Sequence, residues 1–230
     1  MRTEDSVNYG ITRARLAVAR YDQSEEAVEV LESQPKDFRS TRWQYGLAEA
    51  YLQDGQNLKA LRLFEELADN EPEIIAYHIG LGQAQVALEQ LTAAEKTFEQ
   101  ALELFPRNVP LVVRYAEALL RFGEAERAHA MLLDLFNNVA PTPDQVLLIF
   151  RAAVDADEIA EAHYYRAEYS FMIGDLLGGI NFLRQALALP DLNEIQRIRF
   201  EARIDFVREF MSEEQIQQLQ RSRSVAQTQR

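Results

Sequence analysis

His78, His129 and His163 are the residues best suited to metal or acid–base chemistry in this chain of 230 residues, which has no Cys. A zinc site needs clustered ligands at fixed spacing, such as two His one helical turn apart in H-E-x-x-H. No two of these histidines stand four apart, and no thiol is present to complete a shell. His163-Tyr164-Tyr165, beside Glu161 and Glu168, invites a metal, but a lone His with helix-spaced carboxylates is common by chance. All three histidines read as helix-surface or packing residues. Gly174-Asp175-Leu176-Leu177-Gly178-Gly179 has the glycines of a phosphate loop, yet it follows a helical stretch rather than a strand, which removes a dinucleotide reading. A G-x-S-x-G nucleophile turn does not occur. Paired carboxylates such as Glu25/Glu26 and Glu65/Glu66 suit solvated helix faces. The chain by itself is expected to be no enzyme and to hold no catalytic residue, cofactor or metal.

Composition narrows the partners. Lys and Arg number 24 against 37 Asp and Glu, a net charge of −13. Nucleic acid and anionic bilayers call for a basic face, which this balance does not supply. With 47% hydrophobic and 27% charged residues the chain is globular. Its longest apolar runs, such as Val146–Phe150, fall far short of the about 20 residues of a membrane span. No charged segment followed by an apolar one opens the chain as an export signal would. A cysteine-free chain suits cytosol and periplasm alike.

The elements that position these residues are set by a repeat. Leu47, Ala48, Tyr51, Gly55, Ala60, Phe64 and Pro72 are followed 34 residues later by Leu81, Gly82, Gln85, Glu89, Ala94, Phe98 and Pro106. A further 34 residues bring Tyr115, Ala116, Leu119, Gly123, Ala128 and Leu132, with Pro141 one place late. Small residues allow two helices to cross closely, Gly ends a helix through a positive φ, and Pro stops the next one by lacking an N–H. This pattern resembles the tetratricopeptide repeat. It predicts an all-α, right-handed superhelix in which stacking neighbours bury what no single helix pair can.

The repeats are expected at about 8–35, 41–74, 75–108, 109–142 and 160–193, within one solenoid over 1–216. Gly179 follows Ala128 by 51 residues instead of 34, and Thr142-Pro143-Asp144-Gln145 opens with capping-box chemistry, so 143–156 is read as an inserted single helix. Ile195, Ile198, Ala202, Phe206 and Phe210 give 194–211 as a capping helix, and 217–230 as a polar, frayed tail.

In the tetratricopeptide family the fifth, ninth and twelfth residues of each first helix line a concave surface. That register selects Tyr45, Ile79, Val113 and Tyr164, then Glu49, Gln83, Glu117 and Glu168, then Leu52, Val86, Leu120 and Phe171 as partner-binding residues. Eight apolar side chains on a solvent-facing surface demand a cover, unless tighter winding or the inserted helix buries them. The middle row is acidic, so an acidic C-terminal peptide is expected to be repelled. An uncovered apolar groove also makes a homodimer through that groove an expectation.

Tyr9-Gly10-Ile11, then 161–169 (EAHYYRAEY), Gly174-Asp175-Leu176 and 182–187 (FLRQAL) are similar to the C-terminal repeats of bacterial periplasmic zinc metallopeptidases of the beta-barrel assembly-enhancing protease type. The resemblance implies a zinc-bearing H-E-x-x-H domain elsewhere in the parent protein. It also implies a periplasmic location and partners among the protease domain, the outer-membrane assembly machinery and its clients. The alternative is a stand-alone adaptor that holds partner peptides, cytoplasmic if the resemblance does not hold.

Overall fold

A computed structural model describes residues 7–35 and 40–219. Among the described residues every regular element is a helix, and no helix is long and apolar enough to cross a membrane. The chain, expected as one array over 1–216, divides into two compact units, Met1–Phe122 and Gly123–Arg230.

Unit 1 holds α1 (Val7–Val18), α2 (Ser24–Glu32), α3 (Thr41–Gln53), α4 (Asn57–Asn70), α5 (Ile75–Ala87), α6 (Leu91–Leu104) and α7 (Val109–Arg121). The helices form antiparallel hairpins: α4 packs on α3 and α5, α6 on α5 and α7, and the first helices α1, α3, α5 and α7 also touch in series. The small residues lie where the period places them, with Ala48, Ala60, Ala94 and Ala116 fully buried. Phe64 and Phe98 are also fully buried. The Phe98 ring lies on Gly82, where an added Cβ would stand 2.5 Å from it, and stacks on Tyr115 with centroids 5.1 Å apart. Both α4 and α6 stop two residues short of Pro72 and Pro106. Ser40 and Asn108 start α3 and α7 by accepting the N–H groups of Trp43 and Leu111.

The turns after α3, α5 and α7 each use one left-handed residue. Gly55 (φ 75°) and Gly123 (φ 81°) supply it without strain, whereas Glu89 takes the same place with φ 59°.

Unit 2 holds α8 (Ala125–Phe136), α9 (Pro143–Asp155), α10 (Ile159–Met172), α11 (Leu176–Leu187) and α12 (Glu194–Arg208). The inserted helix α9 lies between α8 and α10, and its capping box forms: the Thr142 N–H donates to Gln145 Oε1 at 2.8 Å and the Gln145 N–H to Thr142 Oγ1 at 3.4 Å. Ala167, Ile180, Leu183 and Ala186 pack with Phe200, Ile204 and Val207 of α12 into one core.

The frayed tail expected from residue 217 is corrected in part. A further helical stretch over 213–219 follows α12, because Ser212 and Gln215 exchange capping hydrogen bonds at 3.0 and 3.2 Å. Leu219 is then buried against the same core as Met211. The remainder of that tail, 220–230, lies outside the described residues.

Candidate partner-binding surfaces

The register-selected residues fall in both units, so each unit presents its own surface. In unit 1 the first helices bring Glu49, Leu52, Ile79 and Gln83 into a recess of about 470 Å³, with Arg15 and Arg114 at its edge. A neighbouring recess of about 250 Å³ shares Leu52, Gln83 and Arg114 and adds Val86, Glu117 and Arg121.

The expected open face of eight apolar side chains is not found. Tyr45, Ile79 and Leu120 are buried, while Leu52, Val86, Val113, Tyr164 and Phe171 are partly covered. Tyr45 sinks because its ring meets Phe64 edge-on and leans on Tyr77, with centroids 6.1 and 5.7 Å apart. Burial pushes its hydroxyl well above the ordinary tyrosine range, helped by the hydrogen bond it donates to Glu49. Phe171 lies over Gly179, and Tyr164 stacks on Phe200 at 5.2 Å.

The bare acidic row is corrected too. Glu49 accepts from Arg15 at 3.5 Å, Glu117 from Arg114 at 2.8 Å, and Glu168 from Arg203 at 2.6 and 2.7 Å. Two of these cations come from about one period away: Arg15 precedes Glu49 by 34 residues and Arg203 follows Glu168 by 35. A 34–35-residue spacing of opposite charges was therefore the signal by which Arg15 and Arg203 could have been found. With its carboxylates paired and Arg121 free of any ion pair among the described residues, the unit 1 recess does not present the negative stripe that would repel an acidic peptide.

In unit 2 the carboxylates beside His163 are engaged by α12. Arg199 Nη2 donates to both oxygens of Glu161 at 2.6 Å, and Gln196 adds a bond at 3.0 Å. Among the described residues no group of three His, Asp or Glu gathers to hold a metal ion. His78 Nε2 donates to the Pro72 carbonyl at 2.8 Å, a local packing role.

Burial holds both His129 and His163 below the usual imidazole range, although Glu161 and Glu158 pull His129 the other way. His129 Nε2 is buried with no hydrogen-bond partner among the described residues, and the ring meets Tyr165 edge-on at 6.4 Å. Above the ordinary value of about 6.5 both folded and unfolded forms are neutral, so pH has no hold there. Below it the unfolded chain takes up protons first, and unit 2 loses stability as pH falls toward the folded-state values. Urea unfolding of unit 2 between pH 7.5 and 5.5 is expected to show this loss, and His129→Gln to shrink it; an unchanged slope would count against the assignment.

Residues 45–109 and 85–149 each match a family model described as a tetratricopeptide repeat. No curated protein matches the chain. Among solved structures, a tetratricopeptide repeat protein from Parabacteroides merdae aligns at TM-score 0.52 and 15% identity, over 84% of this chain and 82% of its own. A thermophilic tetratricopeptide protein of Thermus thermophilus aligns at TM-score 0.48 and 22% identity, over 84% and 97%. The hairpins, their period and the two family matches show an all-α fold with tetratricopeptide repeats over residues 45–149, repeats of a kind that mediates protein–protein interaction.

Proposed function

We propose that this chain is the repeat module of a periplasmic zinc metallopeptidase acting in outer-membrane protein assembly or quality control. On this reading the first-helix face of unit 1 holds the protease domain or a partner protein. The supporting observation is the paired recess, where partly covered Leu52 and Val86 sit beside Gln83 within a rim of Arg15, Glu49, Arg114, Glu117 and Arg121. An apolar centre with a mixed-charge rim is the make-up of a protein interface. Zinc belongs to the linked H-E-x-x-H domain, since this sequence contains no such motif.

Leu52→Ser combined with Val86→Ser is the direct test, because both side chains are partly solvated. The unaltered chain is expected to capture the H-E-x-x-H domain encoded in its own reading frame. The double variant should lose about tenfold or more in affinity, as removal of two apolar contacts implies, with an unchanged far-ultraviolet circular dichroism spectrum. Equal capture by both forms, or a frame that encodes no such domain, overturns the proposal.

A further inference from the structure

Helix α12 has two apolar faces. Phe200, Ile204 and Val207 are buried in the core shared with α11. The opposite face is uncovered: Ile195 is 80% exposed, Ile198 60%, Phe206 51% and Phe210 66%. At 3.6 residues per turn Ile195, Ile198, Ala202 and Phe206 fall in one stripe about 80° wide. Phe210 extends it past the helix end, its ring 5.1 Å from that of Phe206. The capping end of a repeat array needs a polar outer face for solubility, so an apolar row here calls for a cover.

The charges beside the row identify that cover. On one edge Arg199 and Arg203 are spent, each bonded to both oxygens of Glu161 and of Glu168. On the other edge stand Glu194, Glu201 and Asp205, with Glu209 at the end of the stripe. Asp205 is paired with Arg208 at 2.7 Å, and exposed Arg197 offsets one further charge. Glu194, Glu201 and Glu209 hold no ion pair among the described residues. The unspent charge beside the row is thus negative, on a chain of net charge −13. A second copy would bring the same acidic edge, and an anionic bilayer is repelled for the same reason. Residues 220–230 contain three Arg but, as apolar side chains, Val225 and Ala226 alone, too few to fill the row.

We propose that the outer face of α12 docks a cationic amphipathic helix of a partner protein. The partner's apolar row seats on Ile195, Ile198, Phe206 and Phe210, and its Lys or Arg residues face Glu194 and Glu201. This surface lies in unit 2 and stands apart from the unit 1 recess.

The test uses the intact chain and a synthetic amphipathic helix of about 18 residues, long enough to match the row. Leucine forms its apolar stripe and lysine its flanks, and a comparator carries Glu in place of each Lys. By fluorescence anisotropy at low salt the lysine helix is expected to bind about tenfold or more tightly than the glutamate helix, with the gap narrowing at high salt. Ile198→Ser with Phe206→Ser, both solvent-facing, loses about tenfold in affinity with helicity unchanged. Ile195→Ser alone, at the most exposed position, loses about threefold and guards against a folding artefact. Leu52→Ser with Val86→Ser leaves this binding intact, which separates it from the unit 1 recess. Equal affinity for the two helices overturns the proposal, as does binding indifferent to Ile198→Ser with Phe206→Ser. A dimer in sedimentation that the same pair dissolves also overturns it, since the cover is then a second copy.

Discussion

Replacing Phe98 with Ala is expected to lower the stability of unit 1 by about 3–5 kcal/mol, the usual range for a fully buried aromatic. The upper half of that range is favoured by the surroundings. The ring is fully buried, stacks on Tyr115 with the planes 18° apart, and rests on Gly82, which has no side chain to move into the void. Gly82→Ala is the converse insult, since its Cβ would stand 2.5 Å from the Phe98 ring. Combined, the two changes are expected to cost less than their sum, because the new methyl group occupies space the ring has left and Ala favours the helix by about 1 kcal/mol over Gly. Urea unfolding followed by circular dichroism measures all three. A loss below about 1 kcal/mol for Phe98→Ala would contradict the tight packing described.

The second large effect is expected at Arg199. Its guanidinium closes over Glu161, which is 8% exposed, and lies 4.2 Å from the centre of the Tyr164 ring. Arg199→Met leaves α12 holding that carboxylate through the Gln196 amide. Loss of one partner of a fully buried pair costs about 3–5 kcal/mol; the arginine end here is 41% exposed, which reduces the expectation to about 2–3 kcal/mol. Arg199→Lys keeps the charge but not the two-pronged fork, so it should recover only part of the loss. Arg199→Met with Glu161→Met should recover most of it, because no charge is then stranded. If the double variant is no more stable than Arg199→Met, the ion pair is not what binds α12 to α10.

What could be read from the sequence follows from which constraints repeat. Ala48, Ala60, Gly82 and Ala94 answer a backbone requirement, close helix crossing, and Pro72 and Pro106 answer another, so their spacing carries the fold directly. The inserted helix was legible for the same reason, through Thr142 and Gln145. Ser212 and Gln215 are the same device at shorter range, and reading them would have placed 213–219 as helix. Depth was not legible. The register that selects Tyr45 and Ile79 gives a position on a helix, but whether a neighbour closes over it depends on the Phe64 and Tyr77 rings from other helices. Charge balance failed likewise, because the cations that cancel Glu49 and Glu168 stand a whole repeat away, in the first helix pair and in α12, which the register did not sample.

Glu89 stands in the left-handed turn that Gly55 and Gly123 occupy elsewhere, with Arg107 and Asp157 in the same conformation at φ 59° and 58°. A side chain there costs about 1–2 kcal/mol in crowding against its own carbonyl. Glycine at these three exposed linker positions is therefore expected to relieve that crowding and raise stability. A lineage moving to hotter surroundings has single-letter routes to a higher melting point that disturb no interior atom.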